Sequence, residues 1–166
     1  NNHDEVVKAL ESQTLRVCVI GIGRIGLPTA LSFAKSGLET IGVDINKDLV
    51  EKINLGKFPL KDEPGYNEIF DNVIKNKKFS ATTNIESVVP NSDLILLSLP
   101  TPMDENNIPD YSALRTVASQ LSDILSPNSL VIVESTIEPG FIEDEMVSII
   151  SKSGRLDVEN NFFIGV

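Results

Sequence analysis

Six short apolar runs recur along the chain, separated by longer stretches in which apolar residues return at helical spacing. The fourth run is the clearest, because residues 94–97 are continuously apolar. A strand of this kind is buried on both faces, as in a parallel sheet that is covered by helices. The pattern therefore predicts six strands, near residues 15–20, 39–43, 79–83, 93–99, 130–133 and 162–166.

The stretches between the runs carry start and stop signals of helices; Asn46, for example, can cap a helix and Gly56 can end it. A polar segment, 1–14, precedes the first strand and forms at best a short amphipathic helix. Strands that alternate with helices predict an α/β fold with a doubly wound parallel sheet (Rossmann), six strands in the order 3-2-1-4-5-6, over residues 15–166. The helices are expected near 24–36, 46–55, 66–75, 85–89, 112–125 (capped by Asp110 or Ser112) and 139–151.

The first apolar run leads directly into three glycines, Gly21, Gly23 and Gly26, and a helical stretch follows them. Strand, glycine turn and helix in this order are the context that a dinucleotide-binding fingerprint requires. Gly21 allows a tight turn, Gly23 lets a pyrophosphate approach the backbone, and Gly26 lets the helix pack close to its strand. The free N–H groups at the start of the helix can then bind the phosphates.

An acidic residue, Asp44, ends the second apolar run and lies 18 positions after Gly26. This spacing is close to that of the ribose-binding acid in dinucleotide-binding folds. A carboxylate here accepts hydrogen bonds from the hydroxyls of an adenosine ribose and repels a 2′-phosphate, so the sequence predicts NAD in preference to NADP. The alternative is a structural glycine turn followed by a surface aspartate.

Composition and charge narrow the classes of partner. The 166 residues carry a net charge of −10, which argues against nucleic acid or an anionic membrane. No apolar run approaches the roughly 20 residues of a membrane span, and we expect a cytoplasmic protein. With one cysteine and one histidine, no intrachain disulfide or Cys/His metal cluster can form, and no metal is expected. Cys18 lies inside the first predicted strand and is expected to be a small buried hydrophobic side chain.

Ligands of a doubly wound sheet bind outside the carboxyl ends of its strands, so the loops there form the candidate site. Besides the glycine turn, these loops are Asp44–Lys47, Ser98–Met103 and Glu134–Gly140. The second can line the nicotinamide side of the cofactor, with Thr101 offering a hydroxyl, or its prolines can simply end the strand. The third can hold substrate or a water, or its Ser and Thr can cap a helix. Glu134 itself is either a base or an inert, hydrogen-bonded carboxylate.

Five motifs resemble, in the same order along the chain, those of the nucleotide-sugar dehydrogenases, a family that includes UDP-glucose, UDP-N-acetylmannosamine and GDP-mannose dehydrogenases. The resemblance spans nearly the whole chain from Leu15, and the last two motifs are most similar to the UDP-N-acetyl-D-mannosamine branch. The motifs are Gly-x-Gly-x-x-Gly-Leu-Pro at 21–28, Val-Asp at 43–44, Glu-Pro-Gly at 63–65, Pro-Thr-Pro at 100–102 and Glu-Ser-Thr-x-x-Pro-Gly at 134–140.

The resemblance implies an NAD-dependent oxidation of the C6 alcohol of a UDP-sugar (UDP-N-acetylmannosamine or UDP-glucose) to the carboxylate. Two NAD molecules are used, and a cysteine forms a thiohemiacetal and then a thioester. By position, Thr136 would help to hold a catalytic water, and Lys47 is the candidate to replace a basic ribose contact that some members have where this chain has Leu49. The residues expected to bind the cofactor are Gly21, Ile22, Gly23, Arg24, Ile25, Gly26, Asp44, Lys47, Leu99, Pro100, Thr101, Pro102, Ser135 and Thr136.

In that family, the catalytic lysine, asparagine and cysteine follow the last strand of the cofactor domain, as do the sugar-nucleotide pocket and the dimer contacts. We therefore expect these 166 residues to be the cofactor domain of a longer, homodimeric or larger enzyme, able to bind NAD without turnover. Two alternatives remain, a stand-alone NAD-binding regulatory module and a β-hydroxyacid dehydrogenase of similar fold. The second gives no reason for the Glu-Pro-Gly and Pro-Thr-Pro loops.

Overall fold

The structure of the chain is a computed structural model, which describes residues 2–12, 14–61, 63–135, 137–138, 140–156 and 162–165. Six strands form one sheet, and every neighbouring pair is parallel. The strands are β1 (Arg16–Ile20), β2 (Glu39–Val43), β3 (Phe79–Thr82), β4 (Leu94–Leu97), β5 (Ser129–Val133) and β6 (Phe162–Gly165). Their order is β3-β2-β1-β4-β5-β6, which confirms the predicted doubly wound fold.

The central strand β1 shows why the apolar runs are continuous. Val17 and Val19 pack into one apolar core of the domain, and Cys18 and Ile20 pack into the other. Successive side chains of a strand point to opposite faces of the sheet, so a strand between two cores needs an apolar residue at every position.

Helices on the two faces of the sheet complete the two cores. They are α2 (Gly26–Lys35), α3 (Lys47–Asn54), α4 (Tyr66–Lys75), α5 (Ile85–Val88), α6 (Ser112–Ile124) and α7 (Val147–Ile150). A further helix, α1 (Asn2–Glu11), precedes β1, and its Val6 and Val7 are exposed. The side chain of Asp110 accepts the backbone N–H of Ser112 at 2.9 Å, so Asp110 supports the start of α6. In the part of the chain that the structure describes, no helix is long and apolar enough to cross a membrane.

The last predicted helix, 139–151, differs from the prediction. A π-helical turn, Ile142–Met146, leads into the short α7, and Pro139 lies outside the described residues. Ile142, Met146 and Ile150, spaced four apart, are all buried. Because a π turn is wider than an α-helical turn, combining the two keeps such residues on one buried face, which accounts for the irregularity.

Candidate cofactor site at the carboxyl edge of the sheet

The glycine turn between β1 and α2 has two positions that admit no side chain and one that faces open space. Gly21 has a φ of +91°, and a Cβ there would lie 2.1 Å from the carbonyl oxygen of Ser98. A Cβ on Gly26 would lie 1.8 Å from the carbonyl oxygen of Gly21. A Cβ on Gly23 would meet no described atom within 4 Å. Gly21 and Gly26 are therefore required by packing, whereas the space over Gly23 fits the approach of a pyrophosphate.

Helix α2 begins at Gly26, about two residues later than predicted, and among the described residues no side chain caps its start. Pro28 has no N–H, and the N–H of Leu27 is bonded to the carbonyl oxygen of Gly23 at 3.0 Å. Among the described residues of this first turn it is therefore the N–H of Gly26 that can meet an anion, which the helix dipole also favours. Arg24 and Ile25, between Gly23 and the helix, are exposed beside this position. The local geometry thus leaves room for the phosphate site that the fingerprint predicts, which stays a prediction.

Asp44 is held against the glycine turn by backbone hydrogen bonds. Its Oδ2 accepts the N–H of Ile22 at 3.1 Å, and its Oδ1 accepts the N–H of Asn46 at 2.9 Å. The side chain is half-buried, and each oxygen of a carboxylate can accept a further hydrogen bond. The carboxylate is therefore fixed in orientation and still able to accept the hydroxyls of a ribose.

A cavity of about 350 Å³ brings together three of the four loops predicted to form the site. Glu134, just after β5, donates its backbone N–H to Leu97 at 2.8 Å, and Ser135 Oγ donates to the carbonyl oxygen of Leu99 at 2.8 Å. These bonds fix the β4 and β5 loops side by side opposite the glycine turn. The cavity is lined by Gly23, Arg24, Ile25, Gly26, Ser98, Leu99, Pro100, Thr101, Glu134 and Ser135.

Comparison with known families identifies the domain. The model of the UDP-glucose/GDP-mannose dehydrogenase family, NAD binding domain, matches residues 15–165. The chain belongs to this family. The match covers the glycine turn, Asp44 and the whole cavity, and it confirms NAD as the cofactor of this domain.

Individual relatives agree with the family assignment. A UDP-N-acetyl-D-mannosamine dehydrogenase of Campylobacter jejuni is 37% identical over 133 residues, which are 80% of this chain and 31% of that protein. The solved structure of UDP-D-ManNAc dehydrogenase from Pyrococcus horikoshii matches with a TM-score of 0.83 and 31% identity, over 90% of this chain and 35% of that one. A ternary complex of GDP-mannose dehydrogenase from Pseudomonas aeruginosa matches with a TM-score of 0.85 and 25% identity, with the same coverage. The chain thus spans about a third of the length of these relatives.

Five predicted site residues among those described do not line the cavity, namely Gly21, Ile22, Asp44, Lys47 and Pro102. Lys47 is the exposed first residue of α3, and Leu49 packs against the core, so no basic side chain could replace it without loss of packing. Pro102 is exposed, and its carbonyl oxygen accepts the N–H of Asp110 at 2.8 Å, at the base of the following loop. Thr136, the predicted water-holding residue, lies outside the described residues.

Cys18 is fully buried in β1, as predicted. Burial raises the pKa of its thiol to about 12, against a weaker opposing hydrogen bond with Ser92. A thiol in this environment is protonated at neutral pH and is not a nucleophile. The NAD-binding domain therefore contributes no reactive cysteine from this position.

The structure contains a hydrogen bond between Thr29 and Glu134 that the sequence does not predict. Thr29 Oγ1, in the first turns of α2, donates to Glu134 Oε1 at 2.5 Å. The two residues are 105 positions apart, and no local pattern links them. The sequence leaves two roles open for Glu134, a base or a hydrogen-bonded carboxylate. The second role applies to Oε1, which accepts this bond. The other oxygen is considered below.

Proposed function

We propose that this chain is the NAD-binding domain of a nucleotide-sugar 6-dehydrogenase, which oxidises the C6 alcohol of a UDP-sugar to the carboxylate. The observation that carries the proposal is the cavity between the glycine turn and the β4 and β5 loops, in a chain that belongs to the UDP-glucose/GDP-mannose dehydrogenase family. Similarity to several UDP-N-acetyl-D-mannosamine dehydrogenases supports UDP-N-acetylmannosamine as substrate, with UDP-glucose as the alternative.

Each part of the cavity has a role in this proposal. The glycine turn and the N–H of Gly26 at the start of α2 bind the pyrophosphate, and Asp44 accepts the hydroxyls of the adenosine ribose. Bound NAD supplies the hydride acceptor. Leu99–Thr101 line the nicotinamide side of the cofactor and hold the nicotinamide beside the carboxyl end of β4. Ser135 keeps the β5 loop in place through its bond to Leu99, and Thr136 next to it would position the water that hydrolysis consumes.

The electron count fixes how the cofactor is used. Conversion of a primary alcohol to a carboxylate removes four electrons, which are two hydrides, and takes its second oxygen from water. Since one NAD accepts one hydride, each sugar requires two NAD molecules. The domain must therefore release NADH and bind a second NAD before the acid is released.

We expect the 166-residue chain alone to bind NAD without oxidising a sugar. The proposed reaction needs a cysteine nucleophile, and the chain contains a single cysteine. That residue, Cys18, is buried in β1 with a pKa raised to about 12. We also propose that the complete protein acts in the cytoplasm as a homodimer or larger assembly.

The deciding measurement is NADH formation by the complete gene product with UDP-N-acetylmannosamine, UDP-glucose or GDP-mannose. Two NADH per sugar with one of the UDP-sugars is the expected result and names the substrate. A protein that binds NAD but forms no NADH with any of them would favour an NAD-binding regulatory module or a dehydrogenase of another class. A protein that binds no NAD would refute the proposal at its first step.

A further inference from the structure

The carboxylate of Glu134 has one oxygen that is paired and one that is not. Oε1 accepts the hydroxyl of Thr29. Oε2 is buried, and among the described residues no donor reaches it. A buried carboxylate oxygen without a hydrogen bond is unfavourable, and such atoms in a folded protein require an explanation. Because Glu134 lines the cofactor cavity, a bound ligand is a candidate for the missing donor.

The position of Glu134 in the sheet indicates which part of NAD would supply that donor. In the strand order, β1 with its glycine turn lies between β2 and β4, and β5 follows β4. Asp44 follows β2 on one side of the turn, and Glu134 follows β5 on the other. A dinucleotide whose pyrophosphate lies on the turn has one ribose on each side of it. Asp44 faces the adenosine ribose, so Glu134 is the corresponding acid on the side of the nicotinamide ribose.

We propose that Glu134 accepts a hydrogen bond from a hydroxyl of the nicotinamide-side ribose, with Thr29 holding the carboxylate in place; this rests on the NAD-binding function proposed above. The terminal torsion of glutamate is soft, so a small rotation of the carboxylate can turn the unpaired oxygen toward the cavity. A ribose hydroxyl is a suitable donor, and a phosphate is not, because it would be repelled by the carboxylate. Thr29 lies only three residues after Gly26, which keeps the carboxylate close to the pyrophosphate and hence to the attached ribose.

Calorimetric titration of the complete gene product with ADP, ADP-ribose and NAD⁺ tests the proposal, because the three ligands add the second ribose and the nicotinamide in turn. For Glu134→Gln we expect the affinity for ADP-ribose and for NAD⁺ to fall by about tenfold, the size of a charge-assisted hydrogen bond, with ADP unchanged. Thr29→Val, which keeps the carboxylate and removes its support, should weaken the same two ligands by about threefold.

The sign of the effect separates a contact from general electrostatics. The chain carries a net charge of −10 and the ligands are anions, so loss of a negative charge by itself should strengthen binding. Glu138→Gln is the matched control, because Glu138 is an exposed glutamate of the same loop. We expect this variant to bind all three ligands as well as the wild type, or slightly better.

Each other outcome has a definite meaning. A loss for NAD⁺ without a loss for ADP-ribose would assign Glu134 to the carboxamide and overturn the ribose contact. Equal losses for all three ligands, or none for any, would make the Thr29–Glu134 pair purely structural and also overturn it. A wild-type protein that binds none of the three would instead refute NAD binding itself, and thermal unfolding of each variant confirms that it is folded.

Discussion

Asp44 has a structural role in the glycine turn and a proposed role in the choice between NAD and NADP. Its carboxylate, the proposed acceptor of the adenosine ribose hydroxyls, also accepts the N–H of Ile22 in the glycine turn. We predict that Asp44→Ala lowers the affinity for NAD by at least about tenfold and narrows the preference over NADP, because the acceptor and the repulsion of a 2′-phosphate are lost together. Calorimetric titration with both cofactors measures the change. Asp48→Ala, an exposed acid in the first turn of α3, is the control, and unchanged affinities in Asp44→Ala would remove the residue from the site.

Substitutions at Gly26 and Gly23 should have different effects, the first on stability and the second on NAD binding. In Gly26→Ala the new methyl group would overlap the carbonyl oxygen of Gly21, so the turn must shift, and we predict a loss of about 1–3 kcal/mol in the free energy of unfolding. In Gly23→Ala the methyl group meets open space, so stability should hardly change while NAD binding falls. Urea unfolding and NAD titration of both variants test this contrast. Equal effects of the two variants on stability would contradict it.

At the scale of elements, Asn54 joins the end of α3 to the sheet. Its Nδ2 donates to the carbonyl oxygen of Ala81 at 2.8 Å, and its Oδ1 accepts the N–H of Ala81 at 3.0 Å. Since β3 is an edge strand of the described sheet, the amide takes the place of a neighbouring strand at this point. It therefore satisfies two backbone groups that would otherwise depend on solvent.

We predict that Asn54→Ala destabilises the domain by about 1–3 kcal/mol, because both groups of Ala81 are part-buried and lose their partner. Urea unfolding measures the loss, and hydrogen exchange of the Ala81 amide should become faster. Asn72→Ala, at an exposed position of α4, provides the comparison and should change neither quantity. Slow exchange at Ala81 in the Asn54 variant would show that the side chain does not protect the edge.

Most elements could be predicted because their signals are local. Burial on both faces makes β1 and β4 read as unbroken apolar runs, and Asn46 marks the start of α3 by accepting the N–H of Leu49 at 3.1 Å. The π turn could not be predicted, because it depends on how Met146 fits a core assembled from distant elements. The candidate site likewise has a part that could be predicted and a part that could not. The topology of the fold predicts that the strand-end loops meet, whereas the Thr29–Glu134 bond depends on where the start of α2 lies relative to the end of β5.

At the scale of the whole molecule, Cys18 can report on folding and cofactor binding together. The chain contains one cysteine, located in the central strand with no exposed surface. A thiol reagent reaches it only when the sheet opens, and burial also raises the pKa of the thiol, which suppresses the reactive thiolate while the protein is folded. The rate of its modification should therefore follow the population of unfolded molecules.

NAD should slow this modification by mass action, since it binds the folded state alone. At an NAD concentration of one hundred times the dissociation constant, we predict a decrease of about one hundredfold in the labelling rate of Cys18, which corresponds to about 2.7 kcal/mol. Mass spectrometry of the labelled peptide 16–24 follows the rate, and adenine, which lacks the ribose and phosphates, is the control ligand. Rapid labelling in native buffer would show that β1 is not buried. Slow labelling that NAD leaves unchanged would mean either that NAD does not bind or that Cys18 becomes accessible through a local opening that leaves the cofactor site intact. Calorimetric titration of NAD distinguishes these two cases.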